Sequence, residues 1–228
     1  MRAISITVVA LLLGAASLSA RAAELQPPTD DQGRFWLYGE RQDEAGAWIP
    51  YPEVAVWSGW MPENVTDLLD KDQTSLTCTE QPRTGKLCWR TVLKKWVAPY
   101  WCGIAWFTKD QGTPWKAPDD TWPAYDLSKA TKLVFWARGA EGDEMIQVKI
   151  GILSDKGRYG DQSGFPIATD WLKLTTQWKE YEVPLGDDAD RLKRIVNPFT
   201  LILSRDSQID ARQGLTIYID DIYYVIGR

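Results

Sequence analysis

Along the chain, short runs rich in Val, Ile, Thr and aromatic residues recur between clusters of Gly, Pro and Asp. That spacing predicts strands joined by turns, not strands alternating with helices. The runs fall at residues 35–38, 54–57, 87–93, 100–107, 132–138, 145–153, 178–184, 199–204 and 215–225. In three of them the period of two is plain enough to assign faces. Ile146, Val148, Ile150 and Ile152 fall on one side and belong in a core, with Gln147 and Lys149 on the other. Leu133, Phe135 and Ala137 point inward and leave Val134, Trp136 and Arg138 outside, while Leu215, Ile217 and Ile219 point inward and leave Thr216, Tyr218 and Asp220 outside. A hairpin through residues 139–143 would set Trp136, Arg138, Gln147 and Lys149 on one surface. Only residues 188–196 read as a helix, with acids in the first turn and Lys193 and Arg194 near the end. The pattern predicts an all-β fold, a two-sheet antiparallel sandwich.

The first residues do not fit that pattern. Arg2 precedes an apolar stretch over residues 4–13, which loosens into small residues and ends at Ala20-Arg21-Ala22, the shape of a cleavable signal peptide over residues 1–22. Residues 23–228 then form a single domain, exported to the periplasm or beyond. The apolar stretch is shorter than the ~20 residues that cross a bilayer, and no later stretch is longer, so membrane insertion is not expected. Loss of Arg2 and Arg21 takes the formal net charge from −5 to −7 (two positive charges fewer). A negative surface disfavours nucleic acid and anionic lipid as partners.

Histidine is absent from all 228 residues, which removes Ser-His-Asp triads, Cys-His dyads and His-ligated zinc. There are three cysteines. Cys78 and Cys88 flank the turn-like residues 81–85, and in an oxidising compartment they read as a disulfide closing a hairpin. Pairing of Cys88 with Cys102 is the alternative. Otherwise Cys102, inside an apolar strand pattern, reads as a buried thiol.

Ten of the thirteen tryptophans lie between Trp36 and Trp122, at no single strand or helix period. Trp115 and Trp122 fall in a loop interrupted by Pro114 and Pro118. One core cannot absorb them all, so some indoles face solvent. An exposed indole plane packs against the C–H face of a sugar ring, whose hydroxyls seek polar side chains nearby.

Four segments sharpen this reading: Ser58-Gly59-Trp60-Met61, residues 101–106 (Trp-Cys-Gly-Ile-Ala-Trp), residues 125–139 (from Tyr125-Asp126-Leu127 to Ala137-Arg138-Gly139), and residues 217–224 (Ile-Tyr-Ile-Asp-Asp-Ile-Tyr-Tyr). Together they resemble the galactose-binding-like β-jelly-roll modules that serve as carbohydrate-binding domains in secreted bacterial proteins. The resemblance spans residues 54–226. It implies a jelly roll, a structural calcium ion, and a polysaccharide or oligosaccharide docked on aromatic residues of one face or its rim. On this chain the expected ligand-binding residues are Trp136, Arg138 and Lys149 on the face, and Trp60, Trp115 and Trp122 as its lip. Trp101 and Trp106 have opposite strand parity and share a face only if Gly103 introduces a bulge. For calcium, Asp220 or Asp221 is the expected ligand, with Glu40 and Asp43 as partners.

Two other functions fit the same composition. A small jelly-roll glycoside hydrolase or lyase needs two carboxylates facing one reaction centre. Asp119-Asp120 and Asp187-Asp188 are loop pairs, whereas Asp220-Asp221 sits in a strand, where neighbours point to opposite faces. An envelope adaptor would turn the same aromatic surface to a protein partner.

Overall fold

The alternating runs pair into two six-stranded antiparallel sheets in the computed structural model, which describes residues 24–50, 55–61, 68–94, 101–108, 123–152, 166–204 and 214–227. In chain order the strands are β1 (Glu24–Leu25), β2 (Arg34–Tyr38), β3 (Glu40–Gln42), β4 (Trp48–Pro50), β5 (Ala55–Met61), β6 (Ser75–Cys78), β7 (Cys88–Leu93) and β8 (Trp101–Thr108). They continue with β9 (Ala124–Tyr125), β10 (Ala130–Gly139), β11 (Met145–Ile150), β12 (Ile167–Ala168), β13 (Leu172–Lys173), β14 (Lys179–Pro184), β15 (Phe199–Ser204) and β16 (Leu215–Ile226). The first sheet runs β14-β10-β16-β7-β6, with β2 also paired to β16 beyond β7. The second runs β12-β11-β15-β8-β5, with β13 also paired to β11. The signal-peptide residues 1–22 lie outside the described residues.

The faces assigned from alternation meet in the core. Leu133, Phe135 and Ala137 of β10 and Ile217 and Ile219 of β16 pack from the first sheet. Ile146, Val148 and Ile150 of β11, Leu201 of β15, and Cys102, Ile104 and Trp106 of β8 pack from the second. Burial of side chains of this size contributes roughly 1.5–3 kcal/mol each, which is why each sheet keeps its register wherever one face is covered. The alternation ends sooner than the sequence suggests in β11. Gly151 adopts φ 70°, the chain turns, and Ile152 joins a small outer cluster with Ala105, Phe107, Ala124 and Val196.

Two expectations are corrected. Strands β10 and β11 are not a hairpin; they belong to different sheets, and the chain between them arches across the sandwich. The arch is wound around the buried Glu144 carboxylate, which accepts hydrogen bonds from the backbone N–H of Glu141 (2.9 Å), Gly142 (2.8 Å) and Asp143 (3.1 Å). A hairpin and an arch have the same alternation on either side, so periodicity does not separate them. The helix expected at 188–196 is a 3₁₀ segment, Gly186–Leu192. Its ion pairs, Arg191–Asp188 (2.5 Å) and Lys193–Asp190 (2.6 Å), are spaced i,i+3, the spacing at which side chains eclipse in a 3₁₀ turn.

All three cysteines are buried free thiols. Burial pushes the Cys102 thiol up to about 12, which disfavours the thiolate. Cys78 and Cys88, the pair expected to be bridged, stand directly opposite each other across β6 and β7. Cys102 packs in the main core from the other sheet, apart from the separate cluster that Cys78 and Cys88 share with Tyr218.

Candidate functional site

Among the described residues, the outer face of the second sheet is covered at one end. Ala105 and Phe107 of β8 lie buried beneath Ala124 and Val196. At the other end the described residues leave a groove of about 460 Å³, lined by Trp101, Gln147, Lys149, Ile152, Pro166, Trp171, Ile202 and Ser204. Strand pairing explains why these residues meet. Trp101 stands opposite Ser204, Gly103 opposite Ile202, and Ile202 opposite Gln147, so adjacent strands β8, β15 and β11 present one continuous floor. Lys149 lies two residues further along β11, roughly 7 Å from Gln147 at the backbone.

The second wall comes from a broken edge. Ala168 of β12 pairs with Lys149, and Leu172 of β13 with Ile146, so residues 169–171 span a break in the strand alongside β11. Thr169 holds the break in place. Its N–H donates to the Val148 carbonyl (3.0 Å), its hydroxyl accepts from the Val148 N–H (3.1 Å), and its carbonyl accepts from the Gln147 amide (2.8 Å). Trp171 leaves the chain at this break. Trp101 is 42% exposed and Trp171 36%, and with Leu76 they are the exposed large hydrophobic side chains among the described residues. Both indoles line the one groove, separated at the backbone by three interstrand spacings, roughly 14 Å.

Gly103 keeps the floor low. A Cβ there would meet the Leu201 carbonyl oxygen at 2.7 Å and the Ile202 Cδ1 at 2.8 Å. The first contact is backbone and cannot rotate away. Gly103→Ala is therefore expected to destabilise the fold by about 1–3 kcal/mol, read as a lowered melting temperature. An unchanged melting curve would show that the sheet yields freely at this point.

Of the eight residues expected to bind ligand, Trp101 and Lys149 lie in the groove. Trp106 does not: β8 pairs with β15 without a register shift from Trp106 to Trp101, so Gly103 makes no bulge and parity sends Trp106 inward. It is 3% exposed, packed on Trp89 at 5.3 Å and on Tyr38 at 5.8 Å. Trp136 and Arg138 lie on the outer face of the other sheet, because β10 and β11 are not neighbours. There the Arg83 guanidinium covers the Trp136 ring at 3.9 Å, and Arg138, 8% exposed, lies on Tyr218 at 3.7 Å. Both are stacked pairs beneath the loop that joins β6 to β7. The backbone of Trp60 stands opposite Ile104, and Trp115 and Trp122 lie outside the described residues. Trp171, Ile202 and Ser204 carried no signal strong enough to select them; Trp171 in particular sits in a two-residue-strand region with no alternation to read.

The carboxylates assigned to calcium do not converge. Asp43 organises the β3–β4 turn, accepting from the N–H of Ala45 (2.9 Å) and Ala47 (2.8 Å). Glu40 accepts from the N–H of Lys86 (2.6 Å) and Leu87 (2.7 Å). Asp220 accepts from the Arg83 N–H at 3.0 Å, and Asp221 takes the Arg83 guanidinium and the Thr84 hydroxyl (3.0 Å). Among the described residues no group of three or more His, Cys, Asp or Glu side chains could hold a metal. The guanidinium occupies the place at Asp221 that a cation would need, so this set does not fit a calcium ion. The strand-parity argument about Asp220 and Asp221 is also corrected. Asp221 has φ 48°, and the core side of β16 passes from Ile219 to Ile222 across it. This bulge turns both carboxylates toward the same loop, where Asp220 and Asp221 are each 1% exposed. The pair serves the loop, whose Arg83 and Thr84 donate to it.

No protein-family model matches the chain. No curated protein matches it. Among solved structures it is similar to a family 30 carbohydrate-binding module, at 16% identity and a TM-score of 0.53 over 86% of this chain and 88% of that one. A family 30 module of a cellulosomal cellulase of Clostridium thermocellum aligns at 16% identity and 0.49, over 84% and 96% of the two chains. A family 11 module from Clostridium thermocellum, in complex with a β-1,3-1,4-mixed-linked tetrasaccharide, aligns at 11% identity and 0.44, over 83% and 96%. The chain has the antiparallel β-sandwich fold of a carbohydrate-binding module.

Proposed function

We propose that this is an exported, non-catalytic carbohydrate-binding protein that docks a polysaccharide in the groove between Trp101 and Trp171. One observation carries the reading: the two exposed tryptophans among the described residues line the same groove. An indole left in water loses the stabilisation that burial provides, and a sugar ring restores it by covering the indole face. Gln147, Ser204 and Lys149 supply hydrogen-bonding groups beside those planes. No carboxylate is among the described residues that line the groove. The signal-peptide pattern of residues 1–22 supports export.

Trp101→Ala and Trp171→Ala are each expected to weaken binding by about 1–3 kcal/mol, the scale of one aromatic stack on a ring ligand, with the melting curve of each variant unchanged. Retention on polysaccharide-loaded gels, followed by calorimetry on the best ligand, measures this. If both variants fold and bind like the parent, the groove is not the site.

A further inference from the structure

Among the described residues that line the groove, one side chain, Lys149, is ionised, and no ion pair joins it to another of them. Strand β15 reads Phe-Thr-Leu-Ile-Leu-Ser, β8 Trp-Cys-Gly-Ile-Ala-Trp-Phe-Thr and β12 Ile-Ala, with no charged residue among them. In β11 Lys149 is the only charge. Its cross-strand partners are Thr200 on one side and Ala168 on the other, and the Thr200 hydroxyl is committed to Asn197 at 2.9 Å. Other cations of the molecule are placed differently: Arg34 pairs with Asp30 (2.8 Å), Arg90 with Glu80 (2.7 Å) and Lys193 with Asp190 (2.6 Å). Among the described residues that line the groove, this ammonium lies beside aliphatic and aromatic side chains and no carboxylate. Its field is weakly screened on the side of the floor, which favours an anionic group arriving with the ligand.

We infer that the polysaccharide bound here is acidic, and that Lys149 pairs with a carboxylate or sulfate on one of its sugars. This rests on the proposal that the groove binds glycan at all. The ligand is sparsely charged: one cation serves the floor, the indoles call for uncharged ring faces, and the negative domain repels a dense polyanion. A neutral backbone with occasional acidic sugars fits these terms.

Binding of the full chain to glucuronoxylan is compared with binding to the same polymer after its carboxyl groups are reduced, with a lightly sulfated galactan as a third ligand. The acid form, or the sulfated ligand, is expected to bind about tenfold more tightly than the neutral polymer at low salt, an advantage that shrinks as salt is added. Which of the two wins tells carboxylate from sulfate. Lys149→Gln is expected to abolish the preference for the acidic form, whereas Trp101→Ala weakens both forms equally and leaves the preference in place. Equal affinity of the parent for acidic and neutral polymers, or a preference that survives Lys149→Gln, overturns the inference and leaves the glycan reading standing. Failure of every polymer to bind overturns the glycan reading itself.

Discussion

Replacing Arg83 with alanine is expected to lower the melting temperature by roughly 6–12 °C, the equivalent of about 3 kcal/mol in a chain of this size. The reason is the place of this side chain between two layers. Its guanidinium pairs with the buried Asp221 carboxylate while its plane lies on the Trp136 ring at 3.9 Å. Asp220 accepts from the Arg83 backbone N–H beside it. Deleting the cation leaves the buried Asp221 carboxylate without its counter-charge, the costly way to break a buried pair. The figure is at the low end of that range because about a third of the Arg83 side chain is exposed. Arg83→Lys is expected to recover part of the loss, since lysine keeps the charge but not the planar fork that stacks and pairs together. A melting temperature within a degree or two of the parent after Arg83→Ala would refute this role.

The same pair makes stability depend on pH. Burial first, and the charge of Asp221 second, push the Asp220 carboxyl from its usual 3.8 up to about 7. Between those values the folded chain holds a proton that the unfolded chain has released. The contribution is complete below about pH 4 and is lost as pH rises through 7, so stability falls with pH across this window. Asp220→Asn is expected to remove that slope in melting curves recorded between pH 4 and 7. A slope unchanged in the variant would assign it to other groups.

The second large effect concerns Cys78 and Cys88. They are direct cross-strand partners, and oxidation in an exported chain would close a loop of about ten residues, worth somewhat under 3 kcal/mol by the loop-entropy relation. Protein recovered from an oxidising compartment is expected to carry this bridge and to lose roughly 5–10 °C of melting temperature on reduction. Timing matters to the outcome. Burial, and the neighbouring Cys78, hold the Cys88 thiol well above its usual range, which starves the folded chain of the thiolate that exchange requires. Chain folded in the reduced state is therefore expected to oxidise slowly with a disulfide reagent, and unfolded chain quickly. Mass mapping that finds both thiols free in exported protein would count against the bridge.

Local pattern determined a good deal by itself. The strands at 132–138, 199–204 and 215–225 recur within two residues of their expected ends, and the inward faces assigned to the first and last of them are in the core. Alternation is legible because a residue on a two-layer sheet faces either the other sheet or the outside, and burial punishes the wrong assignment at once. The absence of histidine likewise bounds the chemistry without any coordinates. What alternation does not contain is which strands are neighbours. Trp136 and Lys149 each sit on an outward face, yet on opposite sides of the sandwich, because residues 139–144 arch around Glu144 and do not fold back as a hairpin. Tertiary structure alone chose Trp171, carried into the groove by a break in an edge strand, and sent Trp106 to the core through an unbroken register on β15. It also turned Asp220 and Asp221 to one side, through a single positive φ in β16. Each of these depends on contacts between residues far apart in the chain, whereas the period of two is written in nearest neighbours, and that difference in range is why the faces were legible from the residues and the site was not.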